Sequence, residues 1–148
     1  MKMKTYKKRY EPPKSDTDLG YADLQKKYDH ICYCLTRDQN FEALIFFRMG
    51  VELQARSKTL MAITYKQIDL ENLQVYDLID FKRNLHIPCA AISAELAELI
   101  RNHMQGEAEE KLFKRRIEIY CRIIAHSTGQ SFSPPLMRHM GKMLQEYL

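Results

Sequence analysis

Apolar residues recur at helical spacing through the first third of the chain. Leu24, Tyr28, Ile31 and Leu35 predict a helix from about Asp18 to Leu35. Thr36-Arg37-Asp38-Gln39 then has the form of a capping box, with Thr36 facing Gln39 three residues later. It predicts a second helix through about Leu53, with Phe41, Leu44, Ile45 and Phe47 on its apolar side. A short helix follows from Ser57 to about Tyr65, where Leu60 and Ile63 share one face, and it hands over to Ile68-Asp69-Leu70. The period then changes. Leu73 to Asp80 partly alternates, Phe81-Lys82-Arg83-Asn84 reads as a turn, and Leu85 to Pro88 alternates again and stops at the proline. This predicts a β-hairpin.

Helical spacing returns after Ser93, a good N-cap. Leu96, Leu99, Ile100 and His103 form a stripe, with His103 read as a packed residue. Gly106 breaks the run. A longer helix is predicted from about Glu107 to Ser127, with Phe113, Ile117, Tyr120 and Ile124 inward and Lys111, Arg115 and Arg122 along another side. Gly129 ends it, and Met140, Met143 and Leu144 mark the apolar face of a last helix. The predicted fold class is mainly α with a small antiparallel β-hairpin or sheet.

Composition refines this in one respect. The 148 residues suit one domain, but the positive charge is unevenly placed. Residues 1–14 carry Lys2, Lys4, Lys7, Lys8, Arg9 and Lys14 against the single acid Glu11. The rest is near neutral, with 17 basic and 18 acidic residues. Pro12-Pro13 bars a helix there. We expect a mobile basic arm over residues 1–16, either solvated or tracking a phosphate backbone through Lys7, Lys8 and Arg9, and a folded domain over 17–148.

Cys32, Cys34, Cys89 and Cys121 have no zinc-ligand spacing and read as free thiols of a reducing cytoplasm. No metal, nucleotide or other small-molecule cofactor motif occurs, and the apolar runs are too short to span a membrane. The expected location is cytoplasmic.

Two stretches carry candidate chemistry. Arg56 precedes Leu60, Ala62, Ile63, Tyr65, Ile68, Asp69 and Leu70, with 13 positions from Arg56 to Asp69. Near the other end stand Gly129, then Ser133-Pro134-Pro135-Leu136, then Arg138-His139. In this order and spacing the two stretches resemble the two arginine motifs of the tyrosine recombinase, or phage integrase, family. The resemblance covers about Asp18 to Leu148 and implies a mostly α-helical catalytic domain with a small antiparallel sheet.

In that family a tyrosine attacks a DNA phosphodiester, two arginines bind the scissile phosphate, a lysine protonates the leaving oxygen and histidines assist. The resemblance assigns the arginines to Arg56 and Arg138 and the second motif's last histidine to His139. Lys82 is the nearest candidate for the lysine on the hairpin turn, and Arg83 is the alternative. Arginine suits the role because its planar fork matches two phosphate oxygens.

The chain departs from the pattern in three places. Gln54 stands where the family usually has a glycine two residues before its arginine, which puts the aim of Arg56 in question. Pro135 replaces a functional histidine and has no side-chain donor, although proline suits the first turn of a helix. The family's nucleophilic tyrosine lies well beyond its second arginine, whereas Tyr147 follows Arg138 by nine residues. On one continuous helix that is roughly 13 Å along the axis.

The expected function is therefore DNA binding by a recombinase-like domain that does not cleave strands. Arg56, Lys82, Arg83, Arg138 and His139 would hold phosphate, and the chain would serve as an accessory or regulator of a mobile genetic element. The alternative is a protein-interaction module that pairs with an intact recombinase, with itself or with another protein. A third is an enzyme remnant completed by a tyrosine from another chain.

Overall fold

A computed structural model describes residues 19–148. The basic arm, with Lys7, Lys8 and Arg9, lies outside the described residues. The described residues form six α-helices and a three-stranded antiparallel sheet. The helices are α1 (Tyr21–Arg37), α2 (Phe41–Leu53), α3 (Ser57–Met61), α4 (Ala94–His103), α5 (Ile117–Thr128) and α6 (Pro135–Met143). The strands are β1 (Ile68–Asp69), β2 (Gln74–Asp80) and β3 (Leu85–Ala91), in spatial order β1-β2-β3.

Helix α2 is the central element. Every residue from Ala43 to Val51 is buried, as expected of a helix covered on all sides. It packs against α1, α4, α5 and α6. Phe46 stacks on Tyr120 at 4.7 Å between ring centroids and meets the edge of Phe113 at 5.4 Å. Phe47 lies between Tyr28 and Phe132.

Arg48 is the one charged residue in this buried run. It ion-pairs with Glu52 and Glu95, and Glu52 in turn accepts from the backbone N–H and the hydroxyl of Ser93. The network pins α2 to the start of α4. There Ser93 also caps the helix as predicted, its Oγ accepting from Leu96 N–H at 3.1 Å.

Several local expectations change. Thr36 does not begin the second helix. It sits in the last turn of α1, where its hydroxyl donates to the Cys32 carbonyl at 2.7 Å. The chain turns at Gln39, in the left-handed region at φ 60°, before Asn40 caps α2. A capping box forms instead at Thr64 and Gln67, where Thr64 N–H donates to Gln67 Oε1 at 2.8 Å.

The long helix predicted from Glu107 begins only at Ile117. Residues 108–112 instead hydrogen-bond across to 63–66: Tyr65 N–H to the Glu110 carbonyl, Lys66 N–H to that of Ala108, and Leu112 N–H to that of Ile63. These tertiary bonds hold the segment as a turn and an isolated bridge, out of a helix, and Leu112 and Phe113 are buried. They also end the third helix early, at Met61, and leave a 3-10 turn at Tyr65–Gln67. Lys111 and Arg115 are therefore not helical and do not line up with Arg122.

Strand β3 runs through Pro88 to Ala91. It is an edge strand, where a proline's missing donor is tolerated. Opposite Pro88, Asp77 takes a left-handed φ of 55°. That twist breaks the alternation of β2, so Val75, Leu78 and Asp80 all face inward. In α6 the buried side chains are Leu136, Met137 and Met140, followed by Leu144, whereas Met143 is exposed.

Candidate phosphate-binding cleft

Three elements bring the two predicted arginines to one place. Arg56 is the N-cap of α3, set by the preceding turn. That turn does not need glycine: Gln54 itself adopts the left-handed conformation, φ 51°, and closes α2. Gln54 Nε2 then donates to the Gly141 carbonyl, tying the turn to α6. Arg138 lies on the first half of α6, which opens with Pro134 and Pro135 after Gly129 has ended α5 at φ 73°. The hairpin β2–β3 supplies the third wall.

Arg56, Arg83, Arg138 and Lys142 line a cleft of about 170 Å³, together with Gln54, Thr59 and Asp80. Asp80 is its single acid among the described residues and is 7% exposed. Its Oδ1 accepts from the backbone N–H groups of Lys82 and Arg83, both at 3.2 Å, and shapes the hairpin turn. Its Oδ2 accepts from Arg83 Nε at 3.0 Å. Arg56 Nε stands 3.4 Å from Oδ1, an ion pair without hydrogen-bond geometry, and this buried N–H has no acceptor among the described residues.

The Arg83 hydrogen bonds, side chain first, then the charge of Arg56, hold the Asp80 carboxyl below its ordinary pKa. Burial, then the charge of Arg56, lowers Arg138 from its ordinary value, and Asp80 opposes this. Arginine stays charged throughout the accessible pH range. The cleft thus concentrates four cations around one carboxylate, and an anion entering it relieves like-charge repulsion.

The other predicted site residues fall elsewhere. Lys82 lies on an adjoining recess with Arg56, Lys58, Thr59 and Phe81. His139, next to Arg138 in sequence, does not line the cleft, and its Nε2 is 3.2 Å from the Leu19 carbonyl oxygen. His103 stacks on Phe41 at 3.8 Å between ring centroids but remains exposed at the end of α4, outside the core. Tyr147 is beyond α6 and not on it. Its hydroxyl donates to Asp29 Oδ2 at 2.6 Å, away from the cleft. Among the described residues, no tyrosine lines the cleft or the adjoining recess.

Two residues of the cleft were not anticipated. Lys142 follows Arg138 by four residues, the spacing that places side chains on one helical face. Asp80 ends a strand, and only the broken alternation of β2 turns it inward.

No known protein-family model matches the sequence, and no curated protein does. Among solved structures, the fold is similar to that in a crystal structure of XerA recombinase, with a TM-score of 0.64 and 14% sequence identity. The match covers 88% of this chain and 50% of the recombinase chain, so the sequence spans about half the length of that structure. At this identity the likeness establishes a recombinase-like fold.

Proposed function

We propose that this recombinase-like domain binds the phosphate backbone of DNA in the cleft formed by Arg56, Arg83, Arg138 and Lys142, without cutting it. The observation that carries this is the convergence of four cations from α3, the hairpin and α6 on one open cleft with a single buried counter-ion. A body of near-neutral charge gathers them there. Phosphate contacts from arginine and lysine position DNA without reading its sequence.

Supporting this reading, no tyrosine among the described residues lines the cleft, and Pro135 stands where the resemblance expects a histidine. Covalent strand cleavage needs a side-chain nucleophile, and loss of an acid–base group typically slows such chemistry by about 10²–10⁴-fold. The biological role that fits is an accessory or regulator of a mobile genetic element, one that occupies DNA near an active recombinase.

The test is fluorescence anisotropy of a short duplex at two salt concentrations. The proteins are wild type, Arg56→Ala/Arg138→Ala and a form lacking residues 1–14. Salt-dependent binding that needs the arginine pair is the expected result. Binding that depends only on the arm, or no binding, rejects the proposal. A companion assay with supercoiled plasmid is expected to show no relaxation.

A second reading, a protein-interaction module, draws on a different feature. An open groove of about 720 Å³ runs between α1, α2, α4 and the last residues, lined by Tyr28, Tyr33, Leu44, Leu99 and Tyr147. A protein partner seated there would leave binding indifferent to Arg56 and Arg138.

A further inference from the structure

The turn of the β2–β3 hairpin presents an aromatic ring that the core does not use. Asp80 is turned into the cleft, and its neighbours Ile79 and Phe81 are exposed instead, Phe81 by 44%. Lys58 of α3 places its Nζ over the Phe81 ring, 5.5 Å from the centroid. With Lys82, Arg56 and Thr59 these residues line a recess of about 220 Å³. Among the described residues, neither Lys58 nor Lys82 forms an ion pair.

The recess adjoins the phosphate cleft. Arg56 and Thr59 line both. Thr59 also fixes the two relative to each other, since its buried hydroxyl donates to the Ile79 carbonyl at 2.7 Å and fastens α3 to β2. A group held by Arg56 in the cleft therefore has, across one shared wall, a part-exposed aromatic ring with Lys58 over one face and Lys82 beside it.

Cations that track a phosphate backbone, combined with an exposed ring, are the chemistry that recognises unpaired nucleotides. A base inside a duplex has both faces covered by its neighbours and offers only its edges to the grooves. A ring adds stacking energy only to a base that has left the stack. We infer that Phe81 is a stacking platform for an unpaired base whose flanking phosphate lies in the Arg56–Arg138 cleft. The DNA this site prefers carries an unpaired nucleotide and is not a perfect duplex. The inference rests on the phosphate-binding function proposed above and narrows its ligand.

The experiment uses two duplexes of equal length, one perfect and one with a single bulged 2-aminopurine. Each is titrated with wild type, Phe81→Ala, Phe81→Leu and Arg56→Ala/Arg138→Ala. Stacking of one base predicts that wild type binds the bulged duplex roughly tenfold more tightly than the perfect one. It also predicts quenching of 2-aminopurine fluorescence on binding. Both Phe81 variants should lose the preference and the quenching while binding the perfect duplex as wild type does. Phe81→Leu keeps an apolar side chain without the ring, and thermal melts of both variants check that the fold survives.

Equal affinity for the two duplexes, or quenching that persists in the Phe81 variants, overturns the inference and leaves phosphate binding standing if the arginine pair is still required. Wild type that binds neither duplex overturns both. Tighter binding of the same bulge in an RNA duplex overturns the assignment to DNA.

Discussion

Arg56 Nε stands 3.4 Å from Asp80 Oδ1, and among the described residues that carboxylate is the only acid on a cleft lined by four cations. The pair joins the N-terminus of α3 to the end of β2. It holds Arg56 in place without meeting its hydrogen-bonding capacity, because the buried Nε–H has no acceptor among the described residues. Phosphate oxygens would supply acceptors for the guanidinium.

Removal of these guanidinium groups should weaken DNA binding in a measurable pattern. Each of Arg56→Ala and Arg138→Ala is expected to lower affinity roughly tenfold or more, the scale of a lost charged hydrogen bond. Each should also reduce the slope of log K against log salt by about 1. Lys142→Ala is expected to show a similar slope change. Salt titrations of anisotropy check this, and an unchanged slope in all three would place DNA elsewhere on the protein.

Asp80 makes stability depend on pH in the acid range. Its folded pKa is lowered by Arg83 and Arg56, so it contributes stability above its unfolded value, near 4. That contribution is lost as pH falls below about 4 through the lowered folded value. Asp80→Asn keeps an acceptor for the turn but removes the charge. The variant should be less stable than wild type at neutral pH, and the gap should narrow as the medium is acidified. Urea melts at several pH values measure it, and a constant gap would show that the Asp80 charge is not the cause.

Helix α6 depends on glycine for its close approach to α2. A Cβ added at Gly141 would lie 2.2 Å from the Val51 carbonyl oxygen, part of the backbone. A Cβ at Gly50 would meet the flexible Met137 side chain at 2.3 Å from Sδ. Gly141→Ala is therefore expected to cost about 1–3 kcal/mol, and more than Gly50→Ala, because a side chain yields where a carbonyl does not. Gly141 lies between Arg138 and Lys142, so a displaced α6 should also weaken DNA binding. Denaturant melts of the two variants, followed by anisotropy, give both comparisons.

The aromatic centre should carry much of the folding free energy. Phe46 is fully buried between Phe113 and Tyr120, and Phe46→Ala is expected to destabilise by about 3–5 kcal/mol. Phe81→Ala, at an exposed turn, should cost far less. Chemical denaturation of the two variants makes the comparison.

How much was legible in the sequence varied with the reach of the forces involved. The helices α1, α2, α4 and α6 follow from apolar spacing, and the Ser93 cap and the Gly129 stop follow from local backbone chemistry. The start of α5 did not, because the hydrogen bonds that keep residues 108–112 out of a helix come from residues 63–66, more than forty positions away. Thr36 misled for a related reason: its hydroxyl found a carbonyl one turn back in α1, which a local pattern cannot distinguish from a cap. Gln54 shows the converse. It lacks the glycine that a sharp turn favours, yet the chain turns there in the left-handed conformation, with its side chain bonded to the Gly141 carbonyl.

What the sequence determined by itself was the order of elements, the inward faces of most helices and the two arginine-bearing stretches that lie 82 positions apart. These depend on periodicity and on φ/ψ preferences, which act over a few residues. Only the tertiary structure decided that Arg56 and Arg138 share a cleft, that Arg83 and Lys142 join them, and that Asp80 faces inward among them. It also set His139 against Leu19 and left Phe81 part-exposed under Lys58. Those outcomes follow from how α6 packs on α2 and how β2 twists at Asp77. Both are set by contacts between distant segments, and no local pattern encodes them.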